Sequence, residues 1–321
     1  MIYLDENPYT KYSTRSPKVA EFERAMANYL GVSDCVAVNS GTSALHLALL
    51  AYGVGPGDEV IVPVLTFIAT ANAVSYTGAK PVFVDVDEKE WILNHNCREE
   101  LVLTVDLHGN PSYACSYWGN AIVDAAESLG TLANRPNCYV CYSLNGNKTM
   151  STGSGGLVVG GDLDEIKELA DVGRKDGKFN SIGYNYRMNG IQAEMGLRQL
   201  PYLDKWVAKK RRFNQIYREQ LSDIIQFQEP TPGSNPSWWF TAGLFPDGTD
   251  IPELQNKLAV KGVPTRRIFQ PLNQLKPYLS NERFPVAEDI YNRGLCLPSS
   301  AMNSEKDILG VCKTIRGVVE G

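Results

Sequence analysis

Apolar residues recur along this chain in two rhythms, and the alternation between them predicts the fold. In Pro17–Leu30, Val19, Phe22, Met26 and Leu30 return on one face at helical spacing, and Gly31 stops the run. Short apolar runs follow at Cys35–Val38, Glu59–Pro63, Pro81–Val86, Leu101–Leu107, Ala121–Val123, Tyr139–Leu144 and Gly156–Val159. Runs of that length, bounded by turn residues, read as buried strands. Helical stretches at Ser43–Tyr52 and Ala69–Tyr76 fall between the first of them. Strands and helices alternating in this way predict a largely parallel α/β sheet. The stretch Asp162–Asp176 reads as a charged helix, and Ile191–Leu221 as one long helix bridging to a second unit. Its basic run, Lys209–Arg212, is expected to be a solvated face. Beyond the Pro/Ser-rich Glu229–Pro236, a small α+β unit is expected: strand Trp238–Phe245, helix Pro252–Val260, strand Pro264–Phe269 and helix Glu305–Val319. The predicted division is a large α/β domain over residues 1–200, then a bridging helix and small domain over 201–321.

Composition narrows the partners. At 321 residues, 43% apolar and 21% charged, the chain can bury a substantial core. A formal net charge of −5 argues against nucleic-acid or anionic-membrane partners, which want a basic face. No run is long enough to span a membrane, and MIYLDENPYT lacks the cationic and apolar regions of a secretory signal, so a cytoplasmic location is expected. Seven scattered cysteines fit reduced thiols, and the Cys138-x-x-Cys141 pair lies in a strand-like run without a second metal-ligand pair. No metal site is expected.

The chemistry concentrates around Tyr142–Gly156, YSLNGNKTMSTGSGG, where Lys148 lies between a small polar run and a glycine-rich run. A lysine amine attacks an aldehyde only when burial or a neighbouring cation frees its lone pair. The ordinary reading of such a lysine is a surface turn. A nucleotide-binding loop is excluded, because Asn147 rather than glycine precedes Lys148. Upstream, Asn39-Ser40-Gly41-Thr42 opens a helix after a strand, where unpaired amides and the hydroxyls of Ser40 and Thr42 can surround a phosphate. Taken alone, that stretch is read first as a helix N-cap. Phe67 follows a strand's carboxyl end, where a ring could stack on a flat cofactor or simply belong to the core. Asp124 ends another strand, with Glu127 one helical turn on. A carboxylate buried there needs a cation such as a pyridinium nitrogen, or else caps a helix, and locally the two readings stand level.

Together these segments resemble the pyridoxal-phosphate aminotransferases of the DegT/DnrJ/EryC1/StrS group, which aminate nucleotide-linked keto sugars. VNSGTSALHLALLAYGVGPGDEVIVP, TFIATANAVSYTGAKPVFVDVD, VDAAESLGT, YSLNGNKTMSTGSGG and GYNYRMNGIQAEMGLRQL carry the resemblance over most of the chain. It implies an aspartate-aminotransferase-type (fold type I) large domain with a mainly parallel sheet, a small α+β C-terminal domain, and a homodimer. It implies pyridoxal 5'-phosphate bound to Lys148 as the internal aldimine, with the pyridoxamine form as intermediate. Lys148 would also shuttle the proton, Asp124 pair with the ring nitrogen, Phe67 stack on the ring and Glu127 lie near the phenolic oxygen, where many relatives have glutamine. Gly41, Thr42 and Ser143 would hold the phosphate, helped by Asn185 of the neighbouring subunit, and Arg187, Arg266 and Arg267 could neutralise the nucleotide diphosphate. SLNGNK and RRIFQPLNQLKPY look most like members acting on the C4 ketone of a nucleotide-linked 4-keto-6-deoxy hexose, with L-glutamate as donor. Two departures stand out: a short N-terminus, and only fourteen residues, Asn110–Val123, between His108-Gly109 and Asp124, where relatives usually fit a helix.

Overall fold

The computed structural model describes residues 12–93, 101–112, 121–131, 135 and 138–321. Helix α1 (Pro17–Leu30) starts under Ser16, whose hydroxyl accepts the Lys18 amide, and ends where Gly31 turns left-handed at φ 69°. The chain then lays down β1 (Val36–Val38), α2 (Gly41–Ala51), β2 (Glu59–Pro63), α3 (Ala69–Tyr76), β3 (Lys80–Val84) and β4 (Val102–Val105). Strands β5 (Ala121–Asp124), β6 (Tyr139–Ser143) and β7 (Gly156–Val159) complete a seven-stranded sheet of order β1-β7-β6-β5-β4-β2-β3. Strands β2 to β6 pair in parallel, and β7 runs against both its neighbours.

Period-two alternation sorts the strand side chains into two cores. Ile122, Tyr139, Cys141 and Val158 join α2 and α3 on one face. Val123, Val140, Leu157 and Val159 join Phe22 and Met26 of α1 on the other. Burial on both faces accounts for strands that read as unbroken apolar runs.

After β7, α4 (Leu163–Ala170) is shorter than the expected helix to Asp176, and a small hairpin of β8 (Arg174–Lys175) and β9 (Lys178–Phe179) takes its place. Left-handed residues at 172, 173, 176 and 177 turn the chain there. The predicted long helix is also two. Helix α5 (Gly190–Gln199) is capped by Asn189, and Pro201, which has no amide hydrogen to donate, lies in a tight 3-10 turn before α6 (Leu203–Leu221).

The second sheet is antiparallel, in the order β10 (Gln226–Phe227), β11 (Thr241–Leu244), β13 (Gly294–Leu297), β12 (Arg266–Arg267). Helices α7 (Ile251–Val260), α8 (Pro285–Arg293) and α9 (Glu305–Val319) belong to the same unit. Phe213 and Tyr217 of α6 close its core with Ile308 and Ile315 of α9. Strand β13, at its centre, and α8 were not anticipated from the sequence, and β11 is shorter than expected because Trp238 has a left-handed backbone, φ 49°. The shortened segment of Asn110–Val123 and the N-terminus fall largely outside the described residues. Cys35, Cys141, Cys296 and Cys312 are free and buried, whereas Cys138 is disulfide-bonded, which corrects the expectation of reduced thiols throughout. Among the described residues, no helix is long and apolar enough to cross a membrane.

Candidate active site

Parallel strands deliver their carboxyl ends to one edge of the sheet, and a cavity of about 270 Å³ opens there. Gly41 and Thr42 at the start of α2, Phe67 after β2, and Asp124 and Glu127 at and after β5 line it. Ser143 and Lys148 enter from the end of β6, and Trp239, Arg266 and Phe269 from the small domain.

Lys148 occupies the return loop between β6 and β7. The Leu144 amide donates to Gly155 O at 2.8 Å and the Thr152 amide to Leu144 O at 2.9 Å, so the loop is pinned at its neck. The Lys148 side chain is only 13% exposed, with Nζ 3.3 Å from Glu127 Oε1 and 3.9 Å from the Trp239 ring centroid. Glu127 is held in turn, since its Oε2 accepts the His108 amide at 2.7 Å. His108 presents that amide from a left-handed backbone, φ 57°.

Asp124 is more deeply enclosed. Its Oδ2 accepts Thr70 Oγ1 at 2.8 Å and its Oδ1 the Ala126 amide at 3.1 Å. Burial still pushes the carboxyl up to about 6, although both hydrogen bonds pull the other way. Residues 125–130 form turns rather than a helix, so the N-cap reading of Asp124 falls, and Glu127 reaches Lys148 from a turn.

At the start of α2, Ser40 is an N-cap: its Oγ accepts the Ser43 amide at 3.0 Å and lies 2.8 Å from Ser43 Oγ. Its hydroxyl is spent on the helix, leaving the first-turn amides, Thr42 and Ser143 to meet an anion. A Cβ at Gly41 would come within 2.9 Å of Ser143 Cβ, so glycine is what lets Ser143 close on the helix start. Phe67 is 54% exposed at the cavity's mouth, its ring 5.8 Å from that of Phe269.

The three arginines separate. The Arg266 guanidinium lines the cavity, 5.3 Å from the Phe269 ring and 5.9 Å from Trp239. Arg267 donates to Tyr291 O at 2.6 Å and lies over that tyrosine's ring. Arg187 pairs with Asp171, and with Asn185 it lines an adjoining open pocket of about 480 Å³ that shares Ser40 and Ser154 with the first. Within one chain, Asn185 therefore stands outside the cavity that holds Lys148. Sequence reasoning did not single out Thr70, His108 or Trp239; Thr66-x-x-x-Thr70 at helical spacing beside a strand end was the signal available for the first.

The DegT/DnrJ/EryC1/StrS aminotransferase family model matches residues 5–316. The chain belongs to this family. Among its DegT-family relatives, the GDP-perosamine synthase of Escherichia coli O157:H7 is 34% identical over 95% of this chain and 91% of its own. That of Caulobacter vibrioides is 35% identical over 90% and 87%. The crystal structure of S. venezuelae DesV in complex with a ketimine intermediate superposes with a TM-score of 0.90, at 28% identity, over 97% of this chain and 91% of that one. The protein is accordingly an aminotransferase, with the fold of the DegT family and its dependence on pyridoxal phosphate.

The cavity suits that cofactor. Asp124 is a desolvated carboxylate whose own hydrogen bonds come only from neutral donors, as a site prepared for a ring cation requires. A helix start beside Ser143 can take the phosphate. Phe67 leaves a ring half-exposed over the opening.

Proposed function

We propose that the chain moves an amino group from L-glutamate to the C4 ketone of a nucleotide-linked 4-keto-6-deoxy sugar. The observation that carries the reading is the meeting, in one cavity, of a half-buried amine, a desolvated carboxylate and a helix N-terminus. Pyridoxal phosphate supplies an aldehyde to carry the amino group and a ring that stores an electron pair. Lys148 would be the amine that holds the cofactor and, when free, would carry the proton between the donor's Cα and the cofactor's C4′. Asp124 keeps the ring nitrogen protonated, and in doing so gains the cation its burial calls for. Glu127 lies within reach of Lys148 Nζ, suited to hold it and to face the phenolic oxygen. Phe67 covers the ring, while Gly41, Thr42 and Ser143 bind the phosphate.

Arg266, charged and at the cavity wall, takes an anionic group of the substrate. Asn185, placed outside its own chain's cavity, completes the partner's site in a homodimer, with Arg187 beside it. The relatives named GDP-perosamine synthase support a nucleotide-linked sugar as acceptor. A second reading, amination at C3, is favoured by the Acidithiobacillus ferrooxidans UDP-N-acetyl-3-dehydro-alpha-D-glucosamine 3-aminotransferase, 31% identical over 93% of this chain.

Purified protein incubated with pyridoxal phosphate, glutamate and a panel of 3-keto and 4-keto sugar nucleotides decides between them. The expected result is a glutamate-dependent 4-amino product, lost in Lys148→Ala. An amino group at C3 upholds the second reading, and no amino sugar from any member of the panel overturns both.

A further inference from the structure

Trp239 has no place in the chemistry described so far, yet the chain is built to fix it against Lys148. Its indole Nε1 donates to Asn147 O at 2.9 Å, on the residue immediately before Lys148. Its ring lies 3.9 Å below Lys148 Nζ, well inside the range at which a cation is attracted to an indole face. Its own backbone is locked: Trp239 O accepts Lys210 Nζ at 3.0 Å, and the same amine donates to Ser299 O at 2.7 Å. Two residues earlier, Ser237 Oγ donates to Glu127 O at 3.2 Å, and the Ser237 amide to Gly109 O at 3.1 Å. Trp239 itself is buried. The small domain thus grips both ends of the Lys148–Glu127 pair, one through an indole and the other through the glutamate's own backbone.

We propose that Trp239 is a positioning residue for Lys148: its indole is the seat on which the amine rests whenever it is not bonded to the cofactor. The proposal rests on the reading of Lys148 as the cofactor-bearing amine. In each turnover that amine is set free and must be available again at the same carbon. A four-carbon stem released into the cavity would sample many rotamers, at an entropic cost each time it returned. The indole face and the Glu127 carboxylate confine Nζ from two sides. The Asn147 bond holds the backbone from which the stem springs. The small domain therefore acts on the reacting amine without contributing an acid or base of its own.

The test uses Trp239→Leu and Trp239→Phe in the full chain, each also combined with Lys148→Ala. In cofactor-free protein, Lys148 labelling by an amine-specific reagent is followed by mass spectrometry. Loss of its cover in Trp239→Leu raises the labelling rate at least about threefold, the worth of one cation–π contact, and Trp239→Phe, which keeps an aromatic face, falls between. Stopped-flow absorbance then gives the rate of covalent uptake of pyridoxal phosphate. Trp239→Leu slows it by about tenfold, while leaving non-covalent cofactor affinity in the Lys148→Ala background unchanged. Equal labelling of Lys148 in native and Trp239→Leu proteins overturns the seat. So does a loss of cofactor affinity of the same size in both Lys148 backgrounds, which marks a merely structural tryptophan. If the native protein takes up no cofactor, the proposed function fails, and the labelling comparison still judges Trp239.

Discussion

Two lysines packed against Trp239, one buried and one half-buried, are treated in opposite ways. Lys210, 6% exposed and so an exception to the solvated face expected of Lys209–Arg212, gives its ammonium to two backbone carbonyls, and burial pushes it down to about 8. Lys148 meets one carboxylate oxygen and a ring face, with cavity on its remaining side. The contrast separates a lysine used as a rivet from one left with open cavity beside it, as the role proposed for Lys148 requires. The rivet is held by two backbone acceptors in the small domain. The Lys148 amine has few contacts, and those come from groups that are themselves held in place.

Exchanging each lysine breaks that contrast differently. Lys148→Ala should lower transaminase activity by roughly a thousandfold or more, with the fold retained by circular dichroism, since no other amine lines the cavity among the described residues. Lys210→Met should act on stability and its pH dependence. Because the folded protein holds this proton less tightly than the unfolded chain does, the cost of burying the charge is full below about 8 and disappears toward 10.5. Native stability relative to Lys210→Met should therefore rise by about 3 kcal/mol across that window in denaturant titrations.

Asp124 shows the same physics with the sign reversed. Its carboxyl, raised to about 6, keeps its proton longer in the folded state, so cofactor-free protein loses stability as pH climbs from about 4 to about 6. Cofactor-free Asp124→Asn should match the native protein near pH 4 and exceed it by about 3 kcal/mol at pH 7, while binding pyridoxal phosphate more weakly. Ser40→Ala should have the smallest effect, about 1 kcal/mol in thermal unfolding, because only the helix cap is lost.

The large domain was legible because its signals are local. Helix α1 runs between the predicted residues since its apolar spacing, the Ser16 cap and the Gly31 stop agree. Strands β2 and β7 and helices α3 and α9 also keep their predicted bounds, for apolar runs flanked by turn residues need no distant partner to be recognised. Lys148, Asp124 and Phe67 could be named because each lies at a strand end or in a polar loop. Trp239 and His108 could not. Trp239 reaches Lys148 only because the second sheet docks against the first, and His108 reaches Glu127 because its backbone adopts a conformation no pattern announces. Strand β13 was hidden for a related reason: four residues, GLCL, become the middle of a sheet only when β11 and β12 flank them.

The reversed strand β7 has a consequence for how molecules come and go. Because β6 and β7 are adjacent and antiparallel, the segment carrying Lys148 leaves and rejoins the sheet at neighbouring positions, from Ser143 to Gly156. A hinge there would have to tear two ladder strands apart, so this wall is no door. The exposed Phe67 ring, carried by the turn after β2, instead marks a stretch of the cavity rim that no ladder ties down.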